Sequence, residues 1–187
     1  MRIVLTQGVT GGTLRVSLHH NDIYGNQIGL LATSLNSSGN TLIIDSTGDR
    51  FADNRAGCQV MAGFGATAGS NTLLFTATGD VFEDNNAPQL LAGYTLGGGI
   101  VGIGGTQQAS GNSAFLQITG SRFSGNAIAD VSVFGAYSNL GVAAGTDNDL
   151  HLTLTGIKPG AVISTLASDP PDPGNTNTVI LKRRGPE

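Results

Sequence analysis

Four stretches superpose without a gap: LRVSLHHNDIYGN (14–26), LIIDSTGDRFADN (42–54), LLFTATGDVFEDN (73–85) and AFLQITGSRFSGN (114–126). Each ends on an asparagine: Asn26, Asn54, Asn85 and Asn126. Three residues earlier each carries a large apolar side chain: Ile23, Phe51, Phe82 and Phe123. Six residues before the asparagine stand Gly48, Gly79 and Gly120, with His20 in the first copy. A fifth copy, LHLTLTGIKPG (150–160), keeps the opening but lacks two residues and the asparagine. Repetition on this scale marks a stacked architecture.

Inside each copy the pattern alternates as a strand does. Leu14, Val16 and Leu18 align with Leu42, Ile44 and Ser46, then with Leu73, Phe75 and Ala77, then with Ala114, Leu116 and Ile118. Leu150, Leu152 and Leu154 complete the columns, and period-two alternation sends all of these to one side. A short second strand follows the glycine and buries the Ile or Phe. After the asparagine a third strand is expected in QIGLLAT, RAGCQVMA, NAPQLLAG and AIADVSVF. From each asparagine to the next copy the spacing is 16, 19, 29 and 24 residues, with no helix-period pattern. Constant register on one side and variable length on the other suit a solenoid with loops on one edge. The expected fold is all-β, a solenoid of about five coils with three short strands per coil.

A buried asparagine at a turn needs partners for two amide donors and an acceptor. Stacked on its copies above and below, each side chain bonds the next, so Asn26, Asn54, Asn85 and Asn126 are expected to form a ladder beside a file of Ile23, Phe51, Phe82 and Phe123. Tolerance of left-handed turn geometry would also explain the asparagines, and it gives the same fold. The motif strand–Gly–x–x–Phe–x–x–Asn–strand resembles the right-handed parallel β-helix proteins of the pectate-lyase-like superfamily, over nearly the whole chain. That resemblance implies a right-handed parallel β-helix and favours an extracellular or cell-surface setting. It leaves activity open, because the superfamily holds lyases, glycoside hydrolases, epimerases, tailspikes and adhesins.

The 187 residues read as one domain, 1–187. Arg2–Thr6 reads as a third strand whose coil has no beginning, so the N-terminal cap is missing. The chain then reads as a piece of a longer protein, or as one whose end another subunit covers. A homo-oligomer is the expectation, a two-fold dimer with residues 2–18 at the interface. Thr178–Leu181 is expected to end the chain as a first-type strand, with a Pro-rich loop and Lys182, Arg183 and Arg184 shielding that end. The net charge of −4 argues against nucleic acid, no apolar run approaches a membrane span, and lone Cys58 forms no intrachain disulfide.

On the loop-side strand, Leu31, Thr33, Gln59, Met61, Leu91, Asp130 and Ser132 are expected to point outward as a ligand or partner face. One carboxylate and no central Lys or Arg match no lyase or polygalacturonase constellation, and loops 94–113 and 135–149 are expected to cover this strip. Asp49 aligns with Asp80 and Asp53 with Asp84. These are read as solvated turn aspartates with Arg50 and Arg55 nearby, and no metal or other cofactor is expected. His19, His20 and His151 lack triad or metal-ligand spacing. Gly97-x-Gly99-x-x-Gly102 formally matches a dinucleotide fingerprint but lacks the following helix, and is read as a flexible loop. An outward file of Thr47, Thr78, Thr119 and Thr155 raises ice binding as a minor alternative. The leading expectation is a non-catalytic structural or recognition β-helix binding carbohydrate or a protein partner. A polysaccharide lyase or glycoside hydrolase fragment is the alternative.

Overall fold

The computed structural model describes residues 1–6, 8–86, 89–91, 94–96, 98–137, 145–169, 174 and 176–185. The strands, in chain order, are β1 (Arg2–Leu5), β2 (Thr13–His19), β3 (Asp22–Tyr24), β4 (Ile28–Leu35), β5 (Thr41–Thr47) and β6 (Arg50–Ala52). Then come β7 (Ala56–Phe64), β8 (Thr72–Thr78), β9 (Val81–Glu83), β10 (Gln89–Leu91), β11 (Tyr94–Leu96) and β12 (Gly98–Thr106). The last are β13 (Ser113–Thr119), β14 (Arg122–Ser124), β15 (Val131–Tyr137), β16 (Asp149–Thr155), β17 (Ile163–Asp169) and β18 (Thr178–Arg184). No helix occurs among the described residues.

The chain visits three parallel sheets in rotation. One has six strands in the order β1-β4-β7-β12-β15-β17, the second six in the order β2-β5-β8-β13-β16-β18, and the third four in the order β3-β6-β9-β14. Each strand pairs with its counterpart one cycle away, Leu14 with Leu42 and Leu42 with Leu73, which is the register of the sequence alignment. This architecture fits a parallel β-solenoid.

Inward columns from the second sheet (Leu42, Leu73, Ala114, Leu150) meet those of the first (Leu30, Cys58, Ile100, Val131) in one continuous core. From the third sheet, Phe51 and Phe82 are fully buried. Their rings stack at 5.0 Å and 3°, and Phe82 stacks on Phe123 at 5.2 Å and 11°, while Ile23 pairs in register with Phe51.

The asparagine ladder is present. The Asn26 side chain donates to Asn54 Oδ1 at 3.2 Å, and Asn85 Nδ2 donates to Asn126 Oδ1 at 2.9 Å. The same oxygens accept backbone N–H groups one cycle back, Asn26 N–H to Asn54 Oδ1 at 3.0 Å and Asn85 N–H to Asn126 Oδ1 at 3.3 Å. A second ladder, absent from the sequence reading, runs through Asn40, Asn71, Asn112, Asn148 and Asn177. It repeats both bonds, for example Asn112 Nδ2 to Asn148 Oδ1 and Asn112 N–H to the same oxygen, each at 3.0 Å. Its members lie two residues before the aligned columns, outside the repeated segments 14–26, 42–54, 73–85 and 114–126.

The register of the first sheet corrects one expectation. NAPQLLAG does not supply its strand; the insertion contains the antiparallel hairpin β10–β11, and β12 pairs with both β7 and β15. Glycine is disfavoured in strands by propensity, which disguised β12 as a loop. Here it is required by close approach: a Cβ on Gly102 would lie 2.4 Å from Leu116 Cδ2, and one on Gly99 2.6 Å from the Asp130 carbonyl.

Truncating Phe82 to Ala opens a cavity between two stacked rings and should destabilise the protein by ~3–5 kcal/mol in chemical denaturation. Asn112→Ala should cost about 2–4 kcal/mol, because the Asn71 amide groups lose their buried acceptor. Asn26→Ala, at the exposed start of its ladder, should cost under about 1 kcal/mol.

Candidate functional site

The face expected to meet a ligand is closed. Thr33, Gln59, Met61 and Ser132 are buried on the outer side of the first sheet, and Leu31 is half-buried. Val101, Ile103, Phe134 and Tyr137 join Met61 there in a second apolar cluster, so this sheet is covered on both faces by the chain itself. Asp130 is half-buried and committed: its Oδ1 accepts Asn126 Nδ2 at 3.0 Å and its Oδ2 accepts the Val162 N–H at 2.9 Å. Asp130 thereby ends the first asparagine ladder. Leu91 belongs to β10, and its side chain lies outside the described residues, as do Gly97 and most of the loop after Tyr137.

Asp49 and Asp80 are not solvated; both are fully buried. They occupy a third polar column, Asn21, Asp49, Asp80 and Ser121, in which the last three each accept the backbone N–H one cycle back. Asn21 N–H reaches Asp49 Oδ1 at 2.7 Å, Asp49 N–H reaches Asp80 Oδ1 at 2.9 Å, and Asp80 N–H reaches Ser121 Oγ at 3.2 Å. The position needs an acceptor facing inward, which is why a charged side chain is drawn into the core. Asp49 Oδ2 accepts the Ser46 hydroxyl at 2.7 Å, but Asp80 Oδ2 is buried without a partner. Burial pushes the Asp80 carboxyl up to about 6, and the nearby Asp49 charge adds to the shift while hydrogen bonds oppose it. Burial and the same two carboxylates hold the Cys58 thiol well above its usual range.

Asp53 and Asp84 are exposed and left-handed, at φ of 53° and 52°, beside Arg55 in a shallow cleft of 510 Å3. Arg50 does not neutralise them; it bridges Asp22 at 2.8 Å and Glu83 at 2.6 Å. Among the described residues, no three His, Cys, Asp or Glu side chains come together.

The accessible face is the outer side of the second sheet. Ile43, Leu74, Phe115, His151 and Ile180 form its central file, in register across five strands. Leu74, Phe115 and Ile180 are 37%, 40% and 41% exposed, and Phe115 stacks on His151 at 4.9 Å and 20°. On one side runs Asp45, Thr76, Gln117 and Thr153, and on the other Thr41, Thr72 and Ser113. The file Thr47, Thr78, Thr119 and Thr155 lies beyond. Sequence reasoning placed His151 outward but missed Phe115, although the alternation that buried Leu116 exposed its neighbour. His19, at the far edge on β2, is not brought near His151.

The chain matches no family model, no curated protein and no solved structure.

The Asp80 carboxyl makes stability depend on pH with a definite sign. A folded value near 6 against 3.8 means the native state holds its proton more tightly than the unfolded chain. This contribution is therefore full below about pH 4 and lost as pH rises through about 6. Asp80→Asn, which places an amide where Asn21 already sits in the column, should remove that slope. Thermal and urea unfolding at pH 8 should show it more stable than the parent by about 1–2 kcal/mol, after allowance for screening.

Proposed function

We propose that the chain is a non-catalytic recognition β-helix, right-handed and of about five coils, that binds neutral carbohydrate on the outer face of its second sheet. One observation carries the reading. The stacked Phe115–His151 pair forms an apolar platform, flanked on both sides by hydroxyl, amide and carboxylate side chains in strand register. A pyranose ring presents C–H groups on its faces and hydroxyls around its rim. An aromatic ring on a flat, regularly spaced polar surface matches that distribution, with apolar contact below and hydrogen bonds at the sides. Successive strands are about 4.8 Å apart, so polar groups recur along a bound chain.

The way the carboxylates are employed supports a non-catalytic role. Asp49 hydrogen-bonds backbone and Ser46, Asp130 ends a ladder, and Glu83 pairs with Arg50. On the platform face itself Asp45 pairs with Arg15 at 3.3 Å and Asp149 accepts the Thr178 hydroxyl, so the described residues there offer no free pair of carboxylates of the kind glycoside hydrolysis generally uses.

Titration calorimetry with cellohexaose, chitohexaose and mannohexaose tests the reading. At least one should bind with Kd near 0.1–1 mM, as suits a shallow exposed platform. Phe115→Ala should weaken that binding at least about tenfold while leaving the unfolding midpoint within a few degrees of the parent. Equal binding by Phe115→Ala would sink the platform. Turnover of pectate, alginate or any of the hexasaccharides would overturn the non-catalytic assignment in favour of a lyase or hydrolase.

A further inference from the structure

The third sheet stops short. It has four strands where its neighbours have six, and its last strand, β14, lies well inside the chain, between β13 and β15. After β16 the chain runs alongside through Ile157, Lys158, Pro159, Gly160 and Ala161 without becoming a strand. The backbone bond formed in this stretch is its own turn, Ala161 N–H to Lys158 O at 3.5 Å, and no hydrogen bond joins it to β14 among the described residues. In parallel pairing a residue directs its N–H and C=O to one neighbour and the next residue directs its own to the other. Arg122 donates to Asp80 O at 2.8 Å and Ser124 O accepts from Asp84 N–H at 3.0 Å, both toward β9. The N–H and C=O of Phe123 therefore face away from β9, into a cleft of 610 Å3 between β14 and residues 157–161.

The cleft continues the core in side-chain terms as well. Phe51 and Phe82 are each fully buried, but Phe123 is only half-buried, with Phe82 on one side and the cleft on the other. Ile157 and Ala161 supply apolar walls. Two carboxylates and two cations line the cleft, and the exposed ones are the cations. Glu83 is held by Arg50 at 2.6 Å and Asp130 by Asn126 and Val162, whereas Arg122 and Lys158 are exposed and form no ion pair among the described residues. Arg183 and Arg184 lie on the other side of the same 157–161 stretch, lining a second hollow with Lys158. Although the chain carries −4 overall, Arg122, Lys158, Lys182, Arg183 and Arg184, five of its nine basic residues, sit around this end of the solenoid.

We propose that the open edge of β14 binds an extended acidic peptide segment, which adds as a fifth strand to the third sheet and seats an apolar side chain on Phe123. The Phe123 N–H and C=O would continue the ladder, the ring would receive the central side chain, and Arg122 and Lys158 would pair with flanking carboxylates. A polysaccharide could meet the charges but not the strand ladder, so the backbone contact distinguishes the occupants. This site is on a different sheet from the Phe115 platform and does not depend on it; loss of glycan binding would leave it untouched.

The test is fluorescence anisotropy of a labelled hexapeptide in which one phenylalanine is flanked by glutamates, titrated with the intact chain. Saturable binding is expected with Kd on the order of 10–100 μM. N-methylation of the peptide at its phenylalanine and following residue should weaken it at least about tenfold, and replacing the glutamates with lysines should abolish it. Arg122→Glu combined with Lys158→Glu should weaken it by a similar factor, and backbone amide shifts should concentrate at residues 122–124 and 157–161. No saturation up to about 1 mM would overturn the proposal. So would equal binding of the N-methylated peptide, which uses the unaltered protein and needs no variant to fold. Displacement by oligogalacturonate with equal affinity would assign the cleft to an anionic glycan instead. A dimer seen by light scattering and dissolved by the double variant would assign it to a second copy.

Discussion

The stacking of this solenoid depends on buried side-chain oxygens that accept backbone N–H groups from the cycle before. A strand that bends sharply into the core leaves amides with no water to reach, and an unmade buried hydrogen bond costs about 1–3 kcal/mol. Asn54 Oδ1 meets that need for Asn26, and Asn112 Oδ1 meets it for Asn71. Because the acceptor must stand directly over the donor, the separation between the two ladders cannot vary. Asn40 to Asn54, Asn71 to Asn85 and Asn112 to Asn126 are each 14 residues. From Asn54, Asn85 and Asn126 onward to the second ladder the chain takes 17, 27 and 22 residues, and there the insertions sit. Hydrogen-bond satisfaction thus decides where the chain can grow.

The same requirement explains what could be seen in the sequence. The apolar alternation of residues 14–18 and its copies, with the in-register Asn26 column, was enough for the parallel stack, because period two and a fixed offset leave few other closures. The second ladder carried an equal signal, a residue of left-handed conformation before the asparagine. Gly39, Ser70, Gly111 and Asp147 precede its members as Gly25, Asp53, Asp84 and Gly125 precede the first. Its asparagines stand two residues before the alternating columns, where apolar periodicity does not mark them. The β12 strand was hidden for a different reason. Its glycines are chosen by how near Leu116 and the Asp130 carbonyl approach, a fact of tertiary packing that composition cannot show.

Inside and outside are hardest to separate at turns, and Asp49 and Asp80 show why. An aspartate after a glycine suits an exposed turn and an inward acceptor equally well by residue type. Only the vertical neighbours decide, and here they were in the sequence: Asn21 and Ser121 occupy the same column and share with aspartate only an oxygen that can accept. The second carboxylate oxygen is surplus to that task. In Asp49 it finds Ser46; in Asp80 it has no partner among the described residues, and burial makes the group hold its proton more tightly. The structural solution thus leaves a titratable group in the core as a by-product.

Regular stacking also dictates where recognition can occur. Columns that obey the repeat are consumed in holding the chain together, and Thr33, Gln59, Met61 and Ser132 on the first sheet are buried with them. What remains available lies either on a face the repeat turns outward, as with Phe115 and His151, or at a place where the repeat lapses. Residues 150–160 are such a place. Their copy lacks two residues and the asparagine, so the chain cannot lay a strand on β14 and swings wide through Lys158. A deletion that would be a defect in a purely structural solenoid leaves a bounded edge with an aromatic floor and exposed cations. Since each cycle contacts only its neighbours, that irregularity disturbs nothing beyond its own rung, and a binding edge can arise there without altering the ladders that stabilise the rest.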